Sequence, residues 1–107
     1  MFKDLSKLLK SAKVLKDKMN EVQDELAKKT LTVSTGGGMV TVVMNGSQEI
    51  VSMDIEDAII SKEDKQMLKV LIISAVNEAM KQTKDMISKE ISSATMGIDP
   101  KFFKDFE

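Results

Sequence analysis

A chain of 107 residues has room for one domain of ordinary size and too little for two. With 42% hydrophobic and 31% charged residues it has the balance of a soluble globular protein, which argues against wholesale disorder and against residence in a membrane. Histidine, cysteine, tyrosine and tryptophan are all absent, which removes the best general base near neutral pH, the best thiol nucleophile and the usual zinc ligands, while a net charge of only −1 conceals a strong asymmetry along the chain.

Serine, threonine, lysine and carboxylates remain, but no pair of them is spaced to suggest a buried catalytic cluster. The sequence therefore reads as a non-enzyme that needs no cofactor or metal. Its longest apolar run, residues 70–73, has four members, against about 20 for a membrane span. The N-terminal residues lack the apolar stretch of a secretory signal. The expected location is the cytoplasm, which suits a chain without cysteine.

Residues 4–29 have a helical pattern. Leu5, Leu8, Ala12, Leu15, Met19, Val22 and Leu26 follow one another at spacings of 3, 4, 3, 4, 3 and 4, a heptad seam held for three repeats. Neither Gly nor Pro interrupts it. A helix of this length reaches about 39 Å at the standard rise, more than a domain of this size can cover. So narrow a seam calls for a partner helix, within the chain or in a second copy, where a globular core would take a broader apolar face.

After Thr30 the period changes to that of strands. Residues 31–34, 39–44 and 48–55 are rich in β-branched side chains and are separated by Gly36-Gly37-Gly38 and by Asn45-Gly46. The Asn-Gly pair predicts a type I′ hairpin, so the three strands form an antiparallel meander. In the last strand Val51, Met53 and Ile55 alternate with Ile50, Ser52 and Asp54, which leaves a largely apolar face to be covered. The glycine triplet runs into strand residues where a phosphate loop would continue into Lys and Ser or Thr, so it is expected to be a flexible hairpin connection.

Ser61, with Glu63 and Asp64 behind it, marks a helix start, and that helix runs over residues 62–94. Its first half is apolar almost all round, from Met67 to Met80, more than a three-stranded sheet can cover. A homodimer is the expected remedy, with Leu71, Ile72, Ala75, Val76 and Ala79 as its candidate interface. Gly97 and Pro100 end the helix. The tail, residues 95–107, holds Phe102, Phe103 and Phe106, three of the four phenylalanines. It either docks back on the protein or serves as a peptide for a protein partner.

Charge is unevenly spread. Residues 1–29 carry 8 Lys against 5 acids, residues 30–61 no Lys against 4 acids, and residues 1–18 alone six Lys against two acids. On a helical wheel Lys3, Lys7, Lys10 and Lys13 lie opposite the seam, with Lys16 and Lys18 at its edges. Such a stripe is either a solvated face or, in a dimer, a pair of grips for the phosphates of a duplex. All sixteen basic residues are Lys, so the forked Arg contact to guanine is missing, and no aromatic side chains stand among the lysines to stack single strands. A helix face with Phe2 as its one aromatic anchor is a poor membrane binder.

Taken together, the basic-ended helix, the hairpin Gly36-Gly37-Gly38-Met39-Val40-Thr41-Val42-Val43-Met44-Asn45-Gly46, the strand Val51-Ser52-Met53-Asp54-Ile55 and the stretch Leu71-Ile72-Ile73-Ser74-Ala75-Val76-Asn77-Glu78-Ala79 resemble the YbaB/EbfC family of bacterial nucleoid-associated proteins. That resemblance covers nearly the whole chain. It implies an α+β fold in one dimeric domain over residues 1–107, with a shared core and long helices projecting like tweezers. It also implies double-stranded DNA as ligand, gripped by Lys3, Lys7, Lys10, Lys13, Lys16 and Lys18. Two departures belong to this chain: it lacks Arg, and its tail is charged and aromatic where the family's is commonly rich in Gly, Met and Pro. The expected function is weakly selective duplex binding by a homodimer that organises the nucleoid. The alternative is a dimeric protein-interaction module working through the first helix or the aromatic tail.

Overall fold

A computed structural model describes residues 2–95, with side-chain burial given from Asp4 to Ala94. The tail phenylalanines, Gly97 and Pro100 lie outside the described residues. The order of elements is helix α1 (Phe2–Lys28), strands β1 (Thr30–Thr35), β2 (Val40–Asn45) and β3 (Ile50–Ile55), a single 3-10 turn (Asp57–Ile59), and helix α2 (Lys65–Thr95). This is the α+β arrangement of a helix, an antiparallel meander and a second long helix that the sequence predicts. The body is elongated, 72 × 22 × 18 Å along its principal axes.

The sheet has the order β1-β2-β3. Directly opposed residues share a face, so the register puts Leu31, Val33 and Thr35 of β1 in line with Met44, Val42 and Val40 of β2. Val40, Val42 and Met44 are fully buried, as the central strand's alternation requires, and Val33 joins them. Each such side chain contributes roughly 1.5–3 kcal/mol by leaving water. α2 lies across β1 and β2. Its inward line is Ala75, Ala79 and Thr83, all fully buried, and their small size lets the helix come close to the sheet. Ile59 of the 3-10 turn closes the core, and the Thr35 hydroxyl donates to the Leu71 carbonyl at 3.0 Å.

Three local features differ from the sequence reading. The β2–β3 connection is not a type I′ turn. Asn45 N–H donates to Glu49 O (3.0 Å) and Gln48 N–H to Asn45 O (3.0 Å), and the residue with positive φ is Gln48 at 62°. This is a three-residue loop ending in a left-handed residue. The Asn45 side chain drives it by accepting from the Ser47 and Glu49 backbone N–H groups at 2.9 and 3.1 Å. Gly46 serves a close approach instead: its N–H donates to Leu26 O at 2.9 Å and Lys29 O at 3.0 Å, satisfying carbonyls at the end of α1. A Cβ there would stand 2.3 Å from Leu26 O.

Second, β3 carries a bulge. Val43 pairs with Ser52 but Met44 pairs with Ile50, so Val51 is the extra residue and Ile50 takes its place in line with Met53 and Ile55. The described residues do not cover this strand: Ile50, Val51 and Met53 are 46%, 57% and 37% exposed. Third, α2 begins later than predicted. Asp64 is its cap, because the Asp64 carbonyl accepts the first helical bond from Leu68 N–H at 2.8 Å. Ser61 acts one turn earlier, donating its hydroxyl to Asp64 Oδ2 at 3.0 Å and accepting from Asp64 N–H at 3.3 Å.

Candidate nucleic-acid interface

The predicted basic stripe sits on α1, whose 27 residues span about 40 Å at the standard rise. Among the described residues, contacts hold the C-terminal half of this helix. Val22 and Leu26 are buried where α1 meets α2 and β2, and Gly46 locks the last turn. Lys29, just past the helix, makes an ion pair with Glu90 of α2 at 2.7 Å. Farther out, Lys18, Glu21, Val22 and Glu25 line a groove with Glu90, Ser93 and Ala94. As residue numbers rise along α2 they fall along α1, so the two helices are antiparallel there. α2 is described as far as Thr95, and the first half of α1 continues past that level as an arm.

Lys7, Lys10, Lys13 and Lys16 are exposed on that arm, and among the described residues none has a carboxylate partner. Lys18 is half-buried and stands 3.5 Å from Glu21, one turn on, so part of its charge is already engaged. Lys3 lies in the first turn of the helix, and its side chain is outside the described set. From Lys3 to Lys18 the stripe covers about 22 Å of helix, roughly two thirds of a turn of B-form duplex. The acids of the sheet region, Glu49, Asp54, Glu56 and Asp57, are all exposed at the other end of the molecule. The charge gradient of the sequence is thus a gradient in space, with a basic arm and an acidic base.

The predicted dimer residues divide. Ala75 and Ala79 are spent on the protein's own core and have no surface left for a second copy. Leu71, Ile72 and Val76 pack partly buried at the core's margin. Besides Met67 and Val70 near its start, the apolar surface left open on α2 follows a different line. Ile73 is 59% exposed, Met80 36% and Ile91 38%, with Val76 and Ile87 half-buried between them. Their spacings of 3, 4, 7 and 4 make a second heptad stripe. The all-round apolarity of residues 67–80 hid this line, because periodicity alone cannot say which of two apolar faces meets the sheet. Ile50, Val51 and Met53 of β3 and Ile60 are also apolar and exposed among the described residues.

Residues 1–98 match the model of the YbaB/EbfC DNA-binding family. The chain is 43% identical over 96 residues to a nucleoid-associated protein of Desulfotalea psychrophila, an alignment covering 90% of this chain and 91% of that one. It is 40% identical over 91 residues to a nucleoid-associated protein of Syntrophobacter fumaroxidans, covering 85% and 83%. Among solved structures, an uncharacterized protein of Helicobacter pylori superimposes with a TM-score of 0.64 at 27% identity, covering 73% of this chain and 90% of that one.

Proposed function

The chain belongs to the YbaB/EbfC DNA-binding family, and from that premise we propose that it acts as a homodimer that grips duplex DNA through lysine–phosphate contacts along α1. It does so without reading base sequence, and it organises the nucleoid in the bacterial cytoplasm. The observation that carries this reading is the arm itself: α1 lifts Lys7, Lys10, Lys13 and Lys16 clear of the body, and no carboxylate among the described residues neutralises them.

Lysine ammonium groups are compact point charges. They meet phosphate oxygens wherever the backbone brings them and release the counterions condensed there, which favours binding at low salt. Such contacts position a duplex but do not specify its bases. The exposed acids around the sheet repel the same phosphates, so the duplex is steered to the arms. The second copy covers the stripe of Ile73, Val76, Met80, Ile87 and Ile91 together with β3, forming one dimeric domain from which two arms project.

Titration of mixed-sequence duplex at about 50 and 200 mM salt tests the grip. Six phosphate contacts predict a loss of roughly 10³ in affinity across that range. Changing Lys3, Lys7, Lys10 and Lys13 to Ala should weaken binding equally on all sequences and lower the salt slope by about 4 for each arm engaged. Unchanged affinity in the quadruple variant would remove the assignment. Light scattering on a sizing column should give twice the 11.9 kDa chain mass, and Ile73→Lys with Met80→Lys should give the single-chain mass with helix content kept.

A further inference from the structure

The first half of α1 carries apolar surface as well as charge. Leu5, Leu8 and Leu9 are 54%, 41% and 63% exposed, Ala12 is exposed beside them, and nothing among the described residues covers them. Leu5, Leu8 and Ala12 continue the line that Val22 and Leu26 bury against α2, and Leu9 flanks it. We propose that the chain's own residues 99–107 occupy this stripe, with Phe102, Phe103 and Phe106 on the leucines and Asp99, Asp105 and Glu107 beside the arm's lysines. In this position the segment competes with duplex DNA for the arm, a consequence that rests on the function proposed above.

Four observations converge on this occupant. α2 runs antiparallel to α1, and its last described turn lies beside Lys18 and Val22, so Thr95 stands at the inner end of the uncovered stripe. The reach is sufficient: from the level of Lys18 to Leu5 is about 20 Å along the helix, whereas the 12 residues after Thr95 extend up to about 40 Å. The charges are complementary, with three acids and two Lys in residues 99–107 against six Lys and two acids in residues 1–18. The apolar chemistry is complementary too: one segment carries three phenylalanines, and the stripe of leucines has no partner among the described residues. Residues 99–107 lie outside the family match, which ends at residue 98.

The chain contains no cysteine, which makes cross-linking clean. In the full-length protein, Ala12→Cys paired with Lys104→Cys places one thiol on the stripe and one within the segment, leaving every leucine and phenylalanine in place. Oxidation should give an intrachain bridge, read as a faster band at single-chain mass on a non-reducing denaturing gel. The pair Val14→Cys with Lys104→Cys, on the other side of the helix, should bridge far less. Adding Phe102→Ser, Phe103→Ser and Phe106→Ser should abolish the bridge at residue 12. Equal bridging at residues 12 and 14, no bridging at residue 12, or a bridge that joins two chains would overturn the proposal. The serine variant without added cysteines should bind duplex more tightly, about tenfold if the segment covers the arm nine-tenths of the time. Duplex that binds both proteins equally would overturn the competition. Absence of duplex binding by either protein would count against the DNA reading alone, because the bridge is scored without DNA.

Discussion

Val22 and Leu26, in the second half of α1, are 7% and 4% exposed, whereas Leu5 and Leu8, in the first half, retain 54% and 41% of their surface. One helix and one seam thus meet two environments. The inner half is part of the fold: α2, β2 and the Asn45–Glu49 loop close over it, and the Gly46 N–H finishes its last turn. The outer half is helical because its residues are good helix formers with no Gly or Pro among them, and because it is a continuous extension of an anchored helix that needs no new nucleus. The difference teaches that an anchored helix can carry a charged surface far from the core, where side chains are selected for what they meet in solution.

Substitutions that respect or violate this division measure it. Leu26→Ala should lower unfolding free energy by about 3 kcal/mol, the cost of a cavity at a site closed on all sides, read from the denaturant midpoint at unchanged m-value and fixed protein concentration. Gly46→Ala should cost about 2 kcal/mol, since a methyl group cannot share space with the Leu26 carbonyl and the loop must shift off the helix end. Leu8→Ala, in the same seam, should cost less than about 1 kcal/mol. A loss as large as that at Leu26 would mean the outer half is as firmly covered as the inner and would end the comparison. Smallest of all, Lys29→Ala should cost roughly 0.5 kcal/mol, because its pair with Glu90 is partly exposed, and the effect should fade in about 1 M salt.

Much of this division is written in residues a few positions apart. Spacings of 3 and 4 specify α1, and β-branched runs broken by glycines specify three strands in a meander. The crowding of lysine into residues 1–18 marks the arm. Lys7, Lys10, Lys13 and Lys16 could be named as candidates from a helical wheel, since a charged side chain opposite an apolar seam faces water whatever the seam packs on. The Asn-Gly pair located its hairpin correctly and misjudged its form, because the Asn45 side chain captures two backbone N–H groups and the glycine is needed for the approach of α1. The start of α2 moved for a similar reason: Ser61 and Asp64 bond to each other, and the second of them caps.

What the sequence determined by itself is therefore local: the type and order of the elements, the stripe along each helix and the side of α1 on which its charge lies. Only the tertiary structure decided which of two apolar faces of α2 meets the sheet, that α2 runs antiparallel along the inner half of α1, and where the β3 bulge puts Ile50 in line with Met53 and Ile55. The physical reason is range. Helix and strand periods arise from neighbours within one or two turns, whereas coverage of a side chain depends on segments tens of residues away, whose approach is set by the volumes of small side chains such as Ala75 and Ala79.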